Sequence, residues 1–303
     1  MRSAAPLALL LAACGQASTI DLPGPGADDA GLQTSDAAVQ DGALDVDAAE
    51  HDAAEHDAGT SDAGAGADVG PTELPRFSFF VTSLEAMREL SGREEGFGGD
   101  LRFGEPTGLE GADKLCATIA AREVPWASQK TWRAFLSAST GGPGGGPVHA
   151  IDRIGAGPWY DRNGRLVASD LAGLAATRPA GDPALAADLP NERGESQRNQ
   201  PGPGATGTAD NHDVLTGSNA SGRFQGGGAA NTCDDWTSVT AAGRPNGGHS
   251  WPAMSGRGWI LAHPLAGCAA VVNLLQNGPG ARDCRGVGCG GGYGALYCFA
   301  LTP

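Results

Sequence analysis

Four histidines, His149, His212, His249 and His263, are the side chains of this sequence best suited to moving protons or holding metal near neutral pH. With Asp213 and Ser250 they supply the residue types of a Ser-His-Asp hydrolase. The patterns that set such groups up for reaction are missing. There is no Gly-x-Ser-x-Gly elbow, no His-Glu-x-x-His and no phosphate-binding loop. Each histidine therefore reads as a structural or surface residue, and the expectation is a non-enzyme without cofactor, catalytic residues or metal site. Two more histidines lie in a repeat, Ala49-Glu50-His51-Asp52-Ala53 followed by Ala54-Glu55-His56-Asp57-Ala58. They read as low-complexity drift in a segment full of Ala-Asp pairs.

The cysteines offer a second chemistry. Cys284 and Cys289, with Cys298 and His263, could make a four-ligand zinc set. An even number of cysteines after Cys14 argues instead for disulfides in an oxidising compartment. The start of the chain points to that compartment. Met1-Arg2 precedes the apolar run Leu7-Ala8-Leu9-Leu10-Leu11-Ala12-Ala13, too short to span a bilayer and ended by Cys14. Leu11-Ala12-Ala13-Cys14 resembles a bacterial lipobox. Residues 1–13 then form a signal peptide, and lipidated Cys14 becomes the new N-terminus. The expected location is extracytoplasmic and lipid-anchored, at the outer membrane or cell surface of a Gram-negative bacterium, with Gly15 leaning to the outer membrane.

Residues 14–75 carry fourteen Asp/Glu and no Lys or Arg among Ala, Gly, Pro, Ser and Thr. Too little apolar surface offsets the ordering entropy, so this stretch reads as a disordered acidic linker. Nearly all of the net charge of −15 belongs to it. Residues 76–303 hold 19 basic and 21 acidic residues. So balanced a domain lacks the basic footprint of a nucleic-acid binder.

The elements that must position any site lie in residues 76–303. Arg76–Ser83 alternates as a strand, with Phe77, Phe79 and Val81 on one face. Gly108–Glu123 reads as a helix with Ala112, Leu115, Cys116, Ile119 and Ala120 on one stripe. Thr131–Ser137 is a second strand. Asn163-Gly164 between Trp159-Tyr160 and Leu166-Val167 signals a hairpin whose two turn residues both take positive φ. Ser169–Thr177 is a short helix capped by Ser169, with Leu171 and Leu174 inward. From Arg178 to Ala230 no period holds, which reads as a long loop. Strands return at Thr232–Val239, Gly258–His263 and Gly294–Leu301. The order predicts an α+β domain with short antiparallel strands.

Several segments, in order, carry a family resemblance. Gly108-Leu109-Glu110-Gly111-Ala112-Asp113-Lys114-Leu115-Cys116 and Thr131-Trp132-Arg133-Ala134-Phe135-Leu136-Ser137 resemble the first half of endostatin, the C-terminal domain of collagens XV and XVIII. Thr232-Cys233-Asp234-Asp235-Trp236 and Leu296-Tyr297-Cys298-Phe299 resemble its cysteine strands. Asp152-Arg153-Ile154-Gly155, Gly157-Pro158-Trp159-Tyr160, Asn211-His212-Asp213-Val214-Leu215-Thr216-Gly217 and Gly248-His249-Ser250 resemble endostatin-like bacterial lipoproteins. The resemblance implies a C-type lectin-like fold. It also implies the disulfides Cys116–Cys298 and Cys233–Cys268, leaving Cys284–Cys289 as an extra pair in an insertion. Loop lengths give them about 5, 4 and 2 kcal/mol.

A calcium-dependent lectin site is not expected: Gln200-Pro201-Gly202 ends without an oxygen ligand, and Trp259-Ile260-Leu261 carries no acid. Spirochaetal relatives of this kind are adhesins, which implies a non-catalytic binding domain on an exposed anchor. Its partner would be an extracellular protein or glycan. The candidate ligand-binding residues are Arg193, Arg198, His212, Arg223, His249, Trp251 and Arg257, on the loops 178–230 and 241–257. The alternatives are an extracytoplasmic enzyme on the same scaffold and a passive coat protein.

Overall fold

A computed structural model describes residues 75–203, 208–254, 256–275 and 283–303. The expected signal peptide, Cys14, the expected acidic linker and the His51/His56 repeat lie outside the described residues. The described residues belong to one compact unit, Ala67–Pro303, and they form a mixed α+β domain.

Its helices start where local chemistry starts them. In α1 (Leu84–Ser91), Ser83 accepts from the Ala86 N–H. This helix is absent from the sequence reading, although Ser83 and the Glu85 of its first turn are ordinary start signals. In α2 (Gly108–Glu123), the Thr107 hydroxyl accepts from the Glu110 N–H and donates to the Glu110 carboxylate. This capping box lies just before the apolar stripe, and the helix has the predicted bounds. The stripe buries Ala112, Leu115, Cys116, Ile119 and Ala120.

Six short strands make the main sheet, in the order β1-β8-β5-β6-β7 with β2 also on β8. They are β1 (Phe79–Val81), β2 (Trp132–Ala134), β5 (Asp213–Leu215), β6 (Asn246–His249), β7 (His263–Pro264) and β8 (Gly292–Ala300). The C-terminal half of β8 lies antiparallel between β1 and β2, while its N-terminal half runs parallel to β5. All nine β8 residues are buried. Around it pack Phe77, Phe79, Trp132, Trp159 and Trp259. The buried indoles of Trp132, Trp236 and Trp259 each donate to a backbone carbonyl, so none buries an unpaired polar atom. The three disulfides are Cys116–Cys298 and Cys233–Cys268, the pairs implied by the resemblance, and Cys284–Cys289, the pair left over.

Five local expectations need correction. The strand expected at Gly258–His263 is irregular up to His263, where β7 begins. The hairpin β3 (Trp159–Tyr160) and β4 (Leu166–Ala168) is present, but in its turn only Gly164 takes positive φ. The Asp161 carboxylate accepts the Asn163 and Arg165 N–H groups and shapes a wider loop. The helix α3 (Leu171–Leu174) is capped by Asp170, not Ser169, and Leu171 is exposed. Cys233–Trp236 is no strand: its four residues have φ of 51–66° and make one left-handed turn. The Asp235 carboxylate braces that turn by accepting from Ser139, Thr140 and Thr232. Finally, the supposed long loop contains α4 (Pro183–Ala187) and β5, a central strand of only three residues. So short a strand has no readable period; its place is fixed by pairing on both sides.

Candidate metal centre

The polar end of the sheet collects side chains far apart in sequence. Asp213 opens β5 and stands opposite His249, which closes β6. His263 opens β7 opposite Gly247, two residues before His249 on the same face. The register thus gathers Asp213, His249 and His263 on one side of the sheet. His212 joins from the residue preceding β5. One ligand atom from each of His212, Asp213, His249 and His263 lies within 4.8 Å of the others.

Three imidazoles converge on a single oxygen. The Nε2 atoms of His212, His249 and His263 lie 3.5, 3.3 and 3.2 Å from Asp213 Oδ1. These are ion-pair distances without hydrogen-bond alignment: Asp213 Oδ1, Asp213 Oδ2 and His249 Nε2 are buried and unpartnered. The Asp213 side chain has no exposed surface, His249 1% and His212 9%; only His263, at 30%, reaches solvent.

The opposite ring nitrogens face acceptors. His249 Nδ1 is 3.1 Å from the Pro252 carbonyl and His263 Nδ1 is 3.1 Å from the Pro264 carbonyl. His212 Nδ1 is 2.7 Å from Asp210 Oδ1, close but off hydrogen-bond alignment. For His249 and His263, a carbonyl at Nδ1 holds the proton there and leaves the Nε2 lone pair for a cation, the usual outer shell of a histidine metal ligand. Further groups fix the frame. The Arg178 guanidinium donates to the Ala186, His249 and Ser250 carbonyls, pinning the end of β6. The Trp251 indole packs edge-on against His212 and donates to Asn211.

The electrostatics express the same crowding. Burial opposes the Asp213 charge, but the His249 and His263 rings and the His212 charge outweigh it and pull its pKa down to about 2. Burial pushes the His249 pKa down against the pull of Asp213. Asp213 raises that of His263, against burial and the Arg257 charge.

The predicted site residues divide. His212, His249 and Trp251 come together here, but Trp251 is buried rather than an exposed anchor. Arg198 is exposed, with its guanidinium 5.8 Å from the Trp251 ring, on a cleft of about 780 Å³ that also includes Asp188, Asp210 and Met254. Arg257 donates to the Ala262 carbonyl near His263. Arg193 instead pairs with Glu85 and Glu195, and Arg223 lies 3.6 Å from Asp152.

The alternative chemistries lose their geometry. Buried Ser250 Oγ contacts the His212 carbonyl, not an imidazole nitrogen. His149 accepts the Phe224 N–H in another loop. The cysteine zinc set fails because its sulfurs are in disulfides. No metal ligands were expected from the sequence; the structure brings four potential donors together here. Sequence reasoning named these histidines with Asp213, but as the residue types of a hydrolase, and it did not place three rings around that one carboxylate. The available signal was thin: three of the domain's four histidines fall between residues 212 and 263, one beside an acid. No protein-family model matches the chain, and no curated protein is significantly similar to it.

Proposed function

We propose that this chain is a lipid-anchored, extracytoplasmic binding domain whose centre captures a divalent transition-metal ion through His212, Asp213, His249 and His263. One observation carries this reading: three imidazole Nε2 atoms surround one buried carboxylate oxygen, with no hydrogen bond completing the arrangement. Buried polar atoms without partners are costly, and a bound cation removes the cost. Imidazole with one carboxylate suits zinc and its neighbours in the first transition row, and lacks the oxygen-rich shell calcium takes. Four protein donors are the number a closed zinc site uses, which favours capture or structure over catalysis. The family reading is endostatin-like with a C-type lectin-like fold, supported by the ordered sequence blocks and the disulfide pattern. Lipidation at Cys14 rests on the lipobox and would hold the domain outside the cytoplasm. The cleft beside the centre, with Arg198 over Trp251, gives a protein or glycan partner a place to dock.

The test is metal content and affinity. The purified full chain should bind one equivalent of zinc or cobalt with micromolar or tighter affinity, and a D213N/H249A variant that keeps its three disulfides should bind none. Equal binding by both proteins, or no binding by the parent, would overturn the assignment.

A further inference from the structure

The Cys284–Cys289 disulfide has the wrong dimensions for a global staple. It closes a separation of 5 residues, against 182 and 35 for the other two. Its reach is local, and what lies beside it is Gly290-Gly291-Gly292. That run is seated on the carboxylates of the centre. A Cβ on Gly290 would stand 2.3 Å from Asp213 Oδ2 and 3.2 Å from His263 Cε1. A Cβ on Gly291 would stand 2.5–2.6 Å from three atoms of the Asp210 carboxyl group, and its φ of 123° suits glycine alone. The Gly291 carbonyl accepts the Asp213 N–H at 2.9 Å, and the Gly291 N–H returns to Gly288 inside the disulfide loop. The Gly286 N–H meets Cys289 Sγ, and Asn273 donates to the Cys289 carbonyl. The chain from Cys284 to Gly292 is thus a small closed frame, with its far end forming one wall of the cluster.

We infer that the Cys284–Cys289 disulfide positions the Gly290-Gly291 wall against Asp213 and Asp210, and that this wall sets how long the centre retains its ion. The inference rests on the metal reading above. Without the crosslink, the wall withdraws from Asp213, and water reaches the carboxylate from the side the glycines now close. Cys284 and Cys289 act through the wall and are positioning residues, not ligands. Removing outer supports of a metal site characteristically weakens it by about 10–100-fold.

The experiment uses the full chain loaded with cobalt, whose visible absorption reports its ligand field. Cobalt release to excess EDTA is timed for the parent, C284S/C289S and G290A, alongside melting of each metal-free protein. Release should quicken at least about tenfold in both variants, with an altered cobalt spectrum in G290A, while metal-free melting of C284S/C289S falls by no more than about 4–8 °C. G290A retains every disulfide, so it reports on the wall even if C284S/C289S folds poorly. Parent-like release from both variants would sink the positioning role and leave the metal centre standing. A parent that takes up no cobalt would sink both.

Discussion

The two ends of the sheet are built from different materials. Around β1, β2 and the C-terminal half of β8, aromatic and aliphatic side chains pack directly. Phe79 lies 4.9 Å from Phe299 and Phe77 lies 5.2 Å from Trp132, centroid to centroid. Around β5, β6 and β7, the buried residues include Asp210, Asn211, His212, Asp213, Asn246 and His249. There β6 reads Asn-Gly-Gly-His and β7 only His-Pro. The first end can be held by burial of apolar surface; the second buries polar groups that burial alone disfavours. On the metal reading proposed above, crosslinks and a bound cation would offset that cost. That contrast explains why the Cys284–Cys289 loop and the histidine cluster occur together at the polar end.

The largest effect should come from cutting the apolar end loose. C116S opens the disulfide between α2 and β8, with an expected loss of about 5 kcal/mol, against about 2 kcal/mol for C284S/C289S. Urea unfolding monitored by tryptophan fluorescence measures both. Comparable losses would erase the distinction between global staple and local frame.

Next is the carboxylate shared by the three imidazoles. D213N keeps the shape of the side chain and removes its charge. Zinc affinity should fall by more than about 100-fold, beyond the range of outer-shell changes, as read by competition with a chromophoric chelator. Hydrogen exchange then localises the consequence. Chelation should raise exchange in residues 210–215 and 246–264 and leave 108–123 protected. Uniform acceleration would show that the two ends do not respond separately.

Smaller and pH-dependent effects follow from the opposite pKa shifts of His249 and His263. In EDTA, His249 binds fewer protons folded than unfolded between its lowered pKa and about 6.5, so stability rises with pH there. His263 has a raised folded pKa, so its contribution is complete below about pH 6.5 and is lost as pH climbs through the raised value. Metal-free stability should therefore crest near pH 6.5, and H263Q should remove the decline on the alkaline side. Zinc reverses that side, because the ion needs all three rings deprotonated and binds better as pH rises. A zinc-loaded protein that weakens between pH 6.5 and 8 would contradict the site. The smallest effect is that of R198A, which touches no ligand: zinc affinity should stay within about twofold, since it lies outside even the outer shell. Loss of a saturable matrix-protein or glycan signal in the same variant would mark the cleft as the recognition surface.

Legibility followed the same division. The capping box at Thr107 and the stripe from Ala112 to Ala120 specify α2 within sixteen residues, and the sequence alone places it to the residue. The strands expected at Gly294–Leu301 and Thr131–Ser137 were readable from their apolar residues in place but not in length, since they span Gly292–Ala300 and Trp132–Ala134. At the polar end the signals fail. A strand of three residues, Asp213–Leu215, is shorter than any period that could reveal it. The left-handed turn at Cys233–Trp236 opposes the intrinsic preference of every residue in it, and only the Asp235 bracing and the disulfide explain it.

What the chain determined by itself is therefore its composition-level division into an acidic leader and a nearly neutral α+β domain, its long helix, and the residue types available for chemistry. Those follow from local propensity, hydrophobic spacing and charge. Which histidines meet, and that they meet on Asp213, was decided only when β5 paired with β6 and β6 with β7. The reason is geometric: side chains separated by 36 and 14 residues become neighbours through strand register alone, a long-range property that no local window of sequence contains.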